Sequence, residues 1–250
     1  MNKYSRIFQI LFAFPWIVFG IQHFMYAEFV ATLVPAFMPF KSFWVYLTGT
    51  AMIAAGISLI VDKLSALAAL SLGSMLAGFI GLIHLFVVAG DPADVKLWTR
   101  PAQDVALAAA CLLLAGSGLS PSASTGARIS EKALKISRFV FALMLLAFGV
   151  QQFFDLDFVT AKVPLFVPAR MFWVYLTGAA LIAAAGGVII DKKARRTAFA
   201  LGFYLLAVNF LNYGVLLAKD LHNPQLWTAL MLNWALTVGV FILANSLPPE

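Results

Sequence analysis

Charge and cysteine are what this 250-residue sequence has least of: Asp, Glu, Lys and Arg together make up 11% of it, and cysteine occurs once, at Cys111. A soluble domain averages about 25% charged residues, so an ordinary water-facing surface is excluded. A single cysteine rules out an intramolecular disulfide and a dithiol relay within the chain. Cys111 lies in an apolar run, where it reads as a small hydrophobe. Histidine is also sparse, three residues at 23, 84 and 222, with no HxxxH or CxxC spacing, so no metal site is expected. P-loop, GxGxxG and GxSxG signatures are missing, which leaves no self-contained catalytic or nucleotide motif.

What fills the chain is apolar: 62% of its residues are hydrophobic. Uncharged apolar stretches recur at 7–26, 44–61, 66–89, 105–119, 139–154, 173–190, 198–218 and 226–247. A helix needs about 20 mostly apolar residues to cross the hydrocarbon core. In lipid only helices and closed barrels satisfy all backbone hydrogen bonds. These runs are continuously apolar rather than alternating, so the expected fold is all-α, with eight transmembrane helices.

The heptad FWVYLTG occurs at 43–49 and again at 172–178, and 172 − 43 = 129. The same shift of 129 aligns Phe19-Gly20 with Phe148-Gly149, Gln22 with Gln151, Asp62-Lys63 with Asp191-Lys192, and Leu97-Trp98-Thr99 with Leu226-Trp227-Thr228. It also aligns the two Val-Pro-x-Phe-x-Pro segments at 34–39 and 163–168, which are expected to lie as short amphipathic pieces with Phe37 and Phe166 dipping inward. The sequence therefore predicts two tandem four-helix bundles, at 1–119 and 134–250, joined by a linker at 120–133 that continues a Gly/Ser/Pro-rich stretch. Each unit has an even number of spans, so the repeats point the same way across the membrane.

Lysine and arginine set the expected orientation. With the amino terminus cytoplasmic, the inner side holds eleven of them and the outer side six, which together make the 17 present. Both termini are thus expected in the cytoplasm. The net charge of +6 belongs to inner loops such as DKKARR at 191–196, where topology and anionic lipid explain it, so nucleic acid is not an expected partner. The basic and then apolar start imitates a signal peptide. No small-x-small site follows it, and its repeat mate lies mid-chain, so it reads as the first helix.

The motifs FGIQHF at 19–24, VPAFMPFKSFWVYLTG at 34–49 and Asp62-Lys63, with their second copies FGVQQF and VPLFVPARMFWVYLTG, resemble the DoxX-like family of integral membrane proteins over nearly the whole of each unit. Two units in one chain depart from that pattern. The resemblance implies a four-helix bundle per unit and a bacterial cytoplasmic (inner) membrane. Because some members accompany thiosulfate:quinone oxidoreductases, it also implies a quinone-like ligand and a redox-accessory role. The expected partners are the lipid bilayer and a membrane redox partner or a second copy of the chain.

Polar side chains inside a membrane are costly and are site candidates by default. Gln22, His23, His84 and Asp104 fall near one depth toward the outer leaflet, and adding 129 gives Gln151, Gln152, Tyr213 and Asn233, polar again. Asn209 and Asn212 join the second set. Two readings stand beside each other: a ligand pocket, or interhelical hydrogen-bond glue worth about 0.6 kcal/mol per pair. All the ionisable groups are in the first unit, so a single asymmetric site is expected there; a structural ion pair of His23 with Asp104 is the alternative. Trp44, Tyr46, Trp173 and Tyr175 open two helices, either as interfacial anchors or as stacking surfaces for a flat ligand. Three functions follow: a protein binding a small apolar molecule in an outer-leaflet pocket, a transporter or channel, and a ligand-free structural subunit.

Overall fold

The computed structural model describes residues 3–116, 129–154 and 156–249, and every regular element in them is helical. The expected linker at 120–133 lies mostly outside the described residues. The long helices are α1 (Lys3–Met25), α3 (Lys41–Val61), α4 (Ser65–Phe79), α6 (Thr99–Gly116), α7 (Glu131–Phe154), α9 (Arg170–Ile189), α10 (Ala194–Asn209) and α12 (Pro224–Ser246). Short helices α2 (Ala27–Leu33) and α8 (Leu156–Thr160) follow α1 and α7. α4 runs on through a π-turn, Ile80–His84, into α5 (Leu85–Gly90). α10 does the same through Phe210–Gly214 into α11 (Val215–Lys219).

Seven of these segments are long and apolar enough to cross a membrane, the architecture of a multi-pass membrane protein. α6 is not among them. It has 18 residues, about 27 Å at 1.5 Å per residue, and carries Arg100 and Asp104 near its start. Yet α6 is among the most enclosed helices, with Ala106, Ala110, Cys111 and Leu113 all buried. Its other faces meet protein, so it needs less apolar surface than its neighbours. The peripheral helices turn large side chains outward instead, among them Phe14, Ile57, Leu67 and Phe203, as lipid contact requires.

The helices pack in a closed circuit. α1 lies on α3, α3 on α4, α4 on α6, α6 on α7, α7 on α9, α9 on α10, α10 on α12, and α12 on α1. α6 and α12 also touch each other across the middle. The sequence left open how the two halves pack; two separate four-helix bundles would close α6 back onto α1. Instead α1 packs on α12, and one apolar core joins both halves, from Phe12, Trp16 and Leu72 to Ala198 and Val238.

The irregularities recur at the spacing of the repeated sequence. Phe40 and Ala169 take left-handed backbone conformations just before α3 and α9, and 169 − 40 = 129. Asp62 and Leu64 do so at the α3–α4 turn, and Asp191 and Lys193 at the α9–α10 turn. In the repeated heptads, Gly49 packs on Gly20 and His23, while Gly178 packs on Gly149 and Gln152. A Cβ on Gly49 would meet His23 Cβ at 2.7 Å, and one on Gly178 would meet Gln152 Cβ at 2.9 Å. The heptad is the close-contact seam of helix pairs α1–α3 and α7–α9. The Val-Pro-x-Phe-x-Pro segments form turns rather than helix, and Phe37 and Phe166 do not dip inward: they are 62% and 49% exposed. Phe37 rests against Phe86 of α5, and Lys219 of α11 sits over the ring of Phe166.

Three devices tie the circuit together. Arg6 of α1 donates to the carbonyls of Leu59 and Ile60, and buried Gln9 donates to Leu59 O at 2.8 Å and to Asp62 Oδ1 at 2.9 Å. Together they cap the end of α3, whose last carbonyls have no partner inside the helix. Pro15 has no N–H, which leaves the carbonyl of Leu11, four residues back, without its helical donor. Trp234 Nε1 of α12 donates to that carbonyl at 2.9 Å. The third device is a pair of glutamine clasps, described with the site.

Gly49→Val and Gly178→Val are each expected to lower thermal stability in detergent by about 1–3 kcal/mol through overpacking. Gly78→Ala, with open space around its Cβ, is expected to leave the melting temperature unchanged or raised. Trp234→Phe is expected to cost about 1–3 kcal/mol by orphaning the Leu11 carbonyl. That cost is expected to shrink in a Pro15→Ala background, where residue 15 supplies its own N–H; a double-mutant cycle in a denaturing detergent titration measures it.

Candidate functional site

Asp104 sits in the second turn of α6 and is fully buried. Its Oδ2 lies 2.9 Å from His84 Nε2, and its Oδ1 is 3.4 Å from Arg100 Nη2, one turn earlier on the same helix. The Arg100 contact is a charge contact and not a hydrogen bond, so Oδ1 is a buried acceptor with no hydrogen-bond partner. His84 ends the π-turn between α4 and α5 and is 17% exposed. A π-turn inserts extra backbone into a helix and rotates the side chains beyond it, and such turns are frequent at functional sites. Here it aims an imidazole at a buried carboxylate.

The second half builds the same contact from neutral groups. Tyr213, on the π-turn between α10 and α11, reaches the side chain of Asn233 on α12. Asn233 Nδ2 also donates to Ala229 O at 2.9 Å. Tyrosine and asparagine stand between α10–α11 and α12 where histidine and aspartate stand between α4–α5 and α6.

Gln22 and Gln151 join the two halves. Gln22 Nε2 donates to Pro224 O at 3.2 Å, and Thr228 Oγ1 donates to Gln22 Oε1 at 3.2 Å, linking α1 to α12. Gln151 Nε2 donates to Thr99 Oγ1 at 2.8 Å, linking α7 to α6. Thr99 and Thr228 stand 129 residues apart, as the glutamines do. For both glutamines the glue reading is the one the structure supports.

His23 is not beside Asp104. Its Nδ1 pairs with the carbonyl of Phe19 in its own helix at 2.7 Å, and its Cβ backs onto Gly49 of α3. α1 packs on α3 and α12 and not on α6, which is why depth alone did not bring the two groups together. Gln152 occupies the corresponding place beside Gly178. Asn209 is buried, donates to Leu230 O at 3.3 Å and leaves its own Oδ1 without a partner. Asn212 is partly buried on the π-turn. Among the described residues no group of three His, Cys, Asp or Glu is placed to hold a metal ion.

The aromatic candidates line the face opposite the chain ends. Trp44 Nε1 donates to Pro39 O at 3.0 Å, as Trp98 does to Pro92 O and Trp227 to Leu221 O. Tyr46 packs on Phe24 and Tyr175 on Phe153. Trp173 stands edge-on to Phe172. Trp44, Trp98 and Trp227 each tie a loop carbonyl to a helix start. Sequence reasoning missed Arg100, although its i,i+4 spacing to Asp104 was there to read. It also missed Thr99 and Thr228 as the partners of the glutamines, although both lie inside the aligned repeat. Trp234 and its Leu11 acceptor carried no sequence signal beyond Pro15.

Residues 12–115 match the model of a family described as a domain of unknown function, DUF8561, a span running from within α1 to near the end of α6. No curated protein and no solved structure matches the chain.

His84→Ala is expected to destabilise the protein by about 3–5 kcal/mol, because it strips a buried carboxylate of its only hydrogen-bond partner. His84→Tyr combined with Asp104→Asn, which installs the pair found at 213 and 233, is expected to restore most of that loss in the same unfolding measurement.

Proposed function

We propose that this chain binds a small apolar or quinone-like molecule bearing a hydrogen-bonding group, at the level of the His84–Asp104 pair. The single observation that carries the reading is the fully buried Oδ1 of Asp104, which among the described residues has a charge contact with Arg100 but no hydrogen-bond donor, beside an ionisable histidine in a position where the other half is neutral. Burying a carboxylate oxygen without a hydrogen-bond donor costs free energy that a purely structural contact has no need to spend, as Tyr213–Asn233 demonstrates. A guest or water donating to Oδ1 removes the cost. We further infer that α6 crosses the membrane inside the protein circuit, giving eight spans, and that the halves arose by tandem duplication with parallel orientation. In that reading both termini are cytoplasmic, the membrane is the bacterial inner membrane, the pair lies toward its outer leaflet, and the chain is a DoxX-like accessory to a membrane redox partner. The matched left-handed turns, π-turns and glutamine clasps support the duplication.

A structural subunit is the second reading, and the hydrogen bonding favours it for most candidates: Gln22, Gln151, His23 and Asn233 all find partners within the protein. Native mass spectrometry with quinone and lipid extraction separates the two. The wild type is expected to retain a small molecule that Asp104→Asn and His84→Gln release, while Gln152→Ala retains it. Equal retention, or none in any variant, leaves the scaffold reading in place.

A further inference from the structure

A second feature lies away from that pair, on the face opposite the chain ends. The end of α1, the start of α2 and the start of α3 enclose a depression of about 440 Å³, lined chiefly by Phe24, Met25, Tyr26, Glu28, Phe29 and Tyr46. The rings of Phe24 and Tyr46 form one wall, with centroids 5.4 Å apart and planes inclined at 31°. Both are 44–46% exposed, so part of each ring borders the depression. Glu28 is exposed, and among the described residues its carboxylate has no ion-pair partner.

One full negative charge beside several aromatic faces selects a particular ligand chemistry. A hard metal ion needs several oxygen ligands, and Glu28 is the one carboxylate in the lining. An anion is repelled. A wholly apolar molecule gains nothing from Glu28. A diffuse organic cation gains from both, since ring quadrupoles attract ammonium groups and choline-type groups are held by aromatic cages. Trp44, Trp98 and Trp227 anchor the loops of this same face, at the level where headgroups lie in a membrane-spanning protein.

We propose that this depression is a binding site for an organic ammonium group, with Glu28 supplying the charge and Phe24, Phe29 and Tyr46 the ring faces. The group arrives either on a lipid headgroup or on a free amine of choline type. Isothermal titration of the full chain in a maltoside detergent tests the chemistry, with choline and its neutral carbon isostere 3,3-dimethylbutan-1-ol as probes. Choline is expected to bind about tenfold more tightly than the isostere. Glu28→Gln is expected to remove that difference, Glu28→Asp to restore part of it, and Tyr46→Leu to weaken choline severalfold, with melting temperatures unchanged for the Glu28 variants. Equal affinity for the two probes, or choline binding indifferent to Glu28→Gln, overturns the proposal. Repeating the titration in nanodiscs distinguishes the sources: weaker choline binding in phosphatidylcholine than in phosphatidylglycerol discs assigns the site to a headgroup, and equal binding assigns it to a free amine.

Discussion

A polar group turned toward the interior of this bundle cannot turn to the surrounding hydrocarbon, which supplies no donor or acceptor. That constraint accounts for most of the hydrogen bonds that hold the fold. The Leu11 carbonyl, freed by Pro15, accepts a hydrogen bond from Trp234 more than two hundred residues away in sequence. The end of α3 takes Arg6 and Gln9. Gln22 and Gln151 reach for threonines on the helices that open the next packing contact. Each bond closes a local deficit, and because the partners lie on different helices, each also fixes which helices are neighbours.

The circuit that results has consequences for what the chain can do. Helices α6 and α12 lie at the centre and touch both halves, and Asp104 of α6 is fully buried there. Asp104 and Asn233 are the residues placed there, and each meets a residue delivered by a π-turn. The scaffold is thus nearly the same twice over, while the chemistry differs once. The two halves share the place of this contact and differ in the residue types that make it. The heptad lies outside this difference: its glycines let α1 meet α3 and α7 meet α9, and both copies need that equally.

The helical class, the apolar helices long enough to cross a membrane and the places where the two halves repeat were legible in the sequence. Each follows from composition or from one-dimensional spacing. Continuous apolar runs leave helices as the form that satisfies the backbone in lipid, and small residues at helical spacing mark close approach. The sequence also singled out residues 84 and 104 by their cost, since ionisable groups in apolar runs demand a reason.

Neighbourhood was decided by tertiary structure alone. Depth along a helix is one coordinate, and two residues at equal depth meet only if their helices adjoin and their faces turn together. His23 and Asp104 share a depth but sit on helices that do not pack, so the expected cluster divides. His84 and Asp104 meet because a π-turn rotates one toward the other, a change of a single backbone register that no periodicity records. Whether the halves close on themselves or on each other depends on which pairing buries both open faces at once. That is a property of two surfaces in space, and it is why α1 lies against α12.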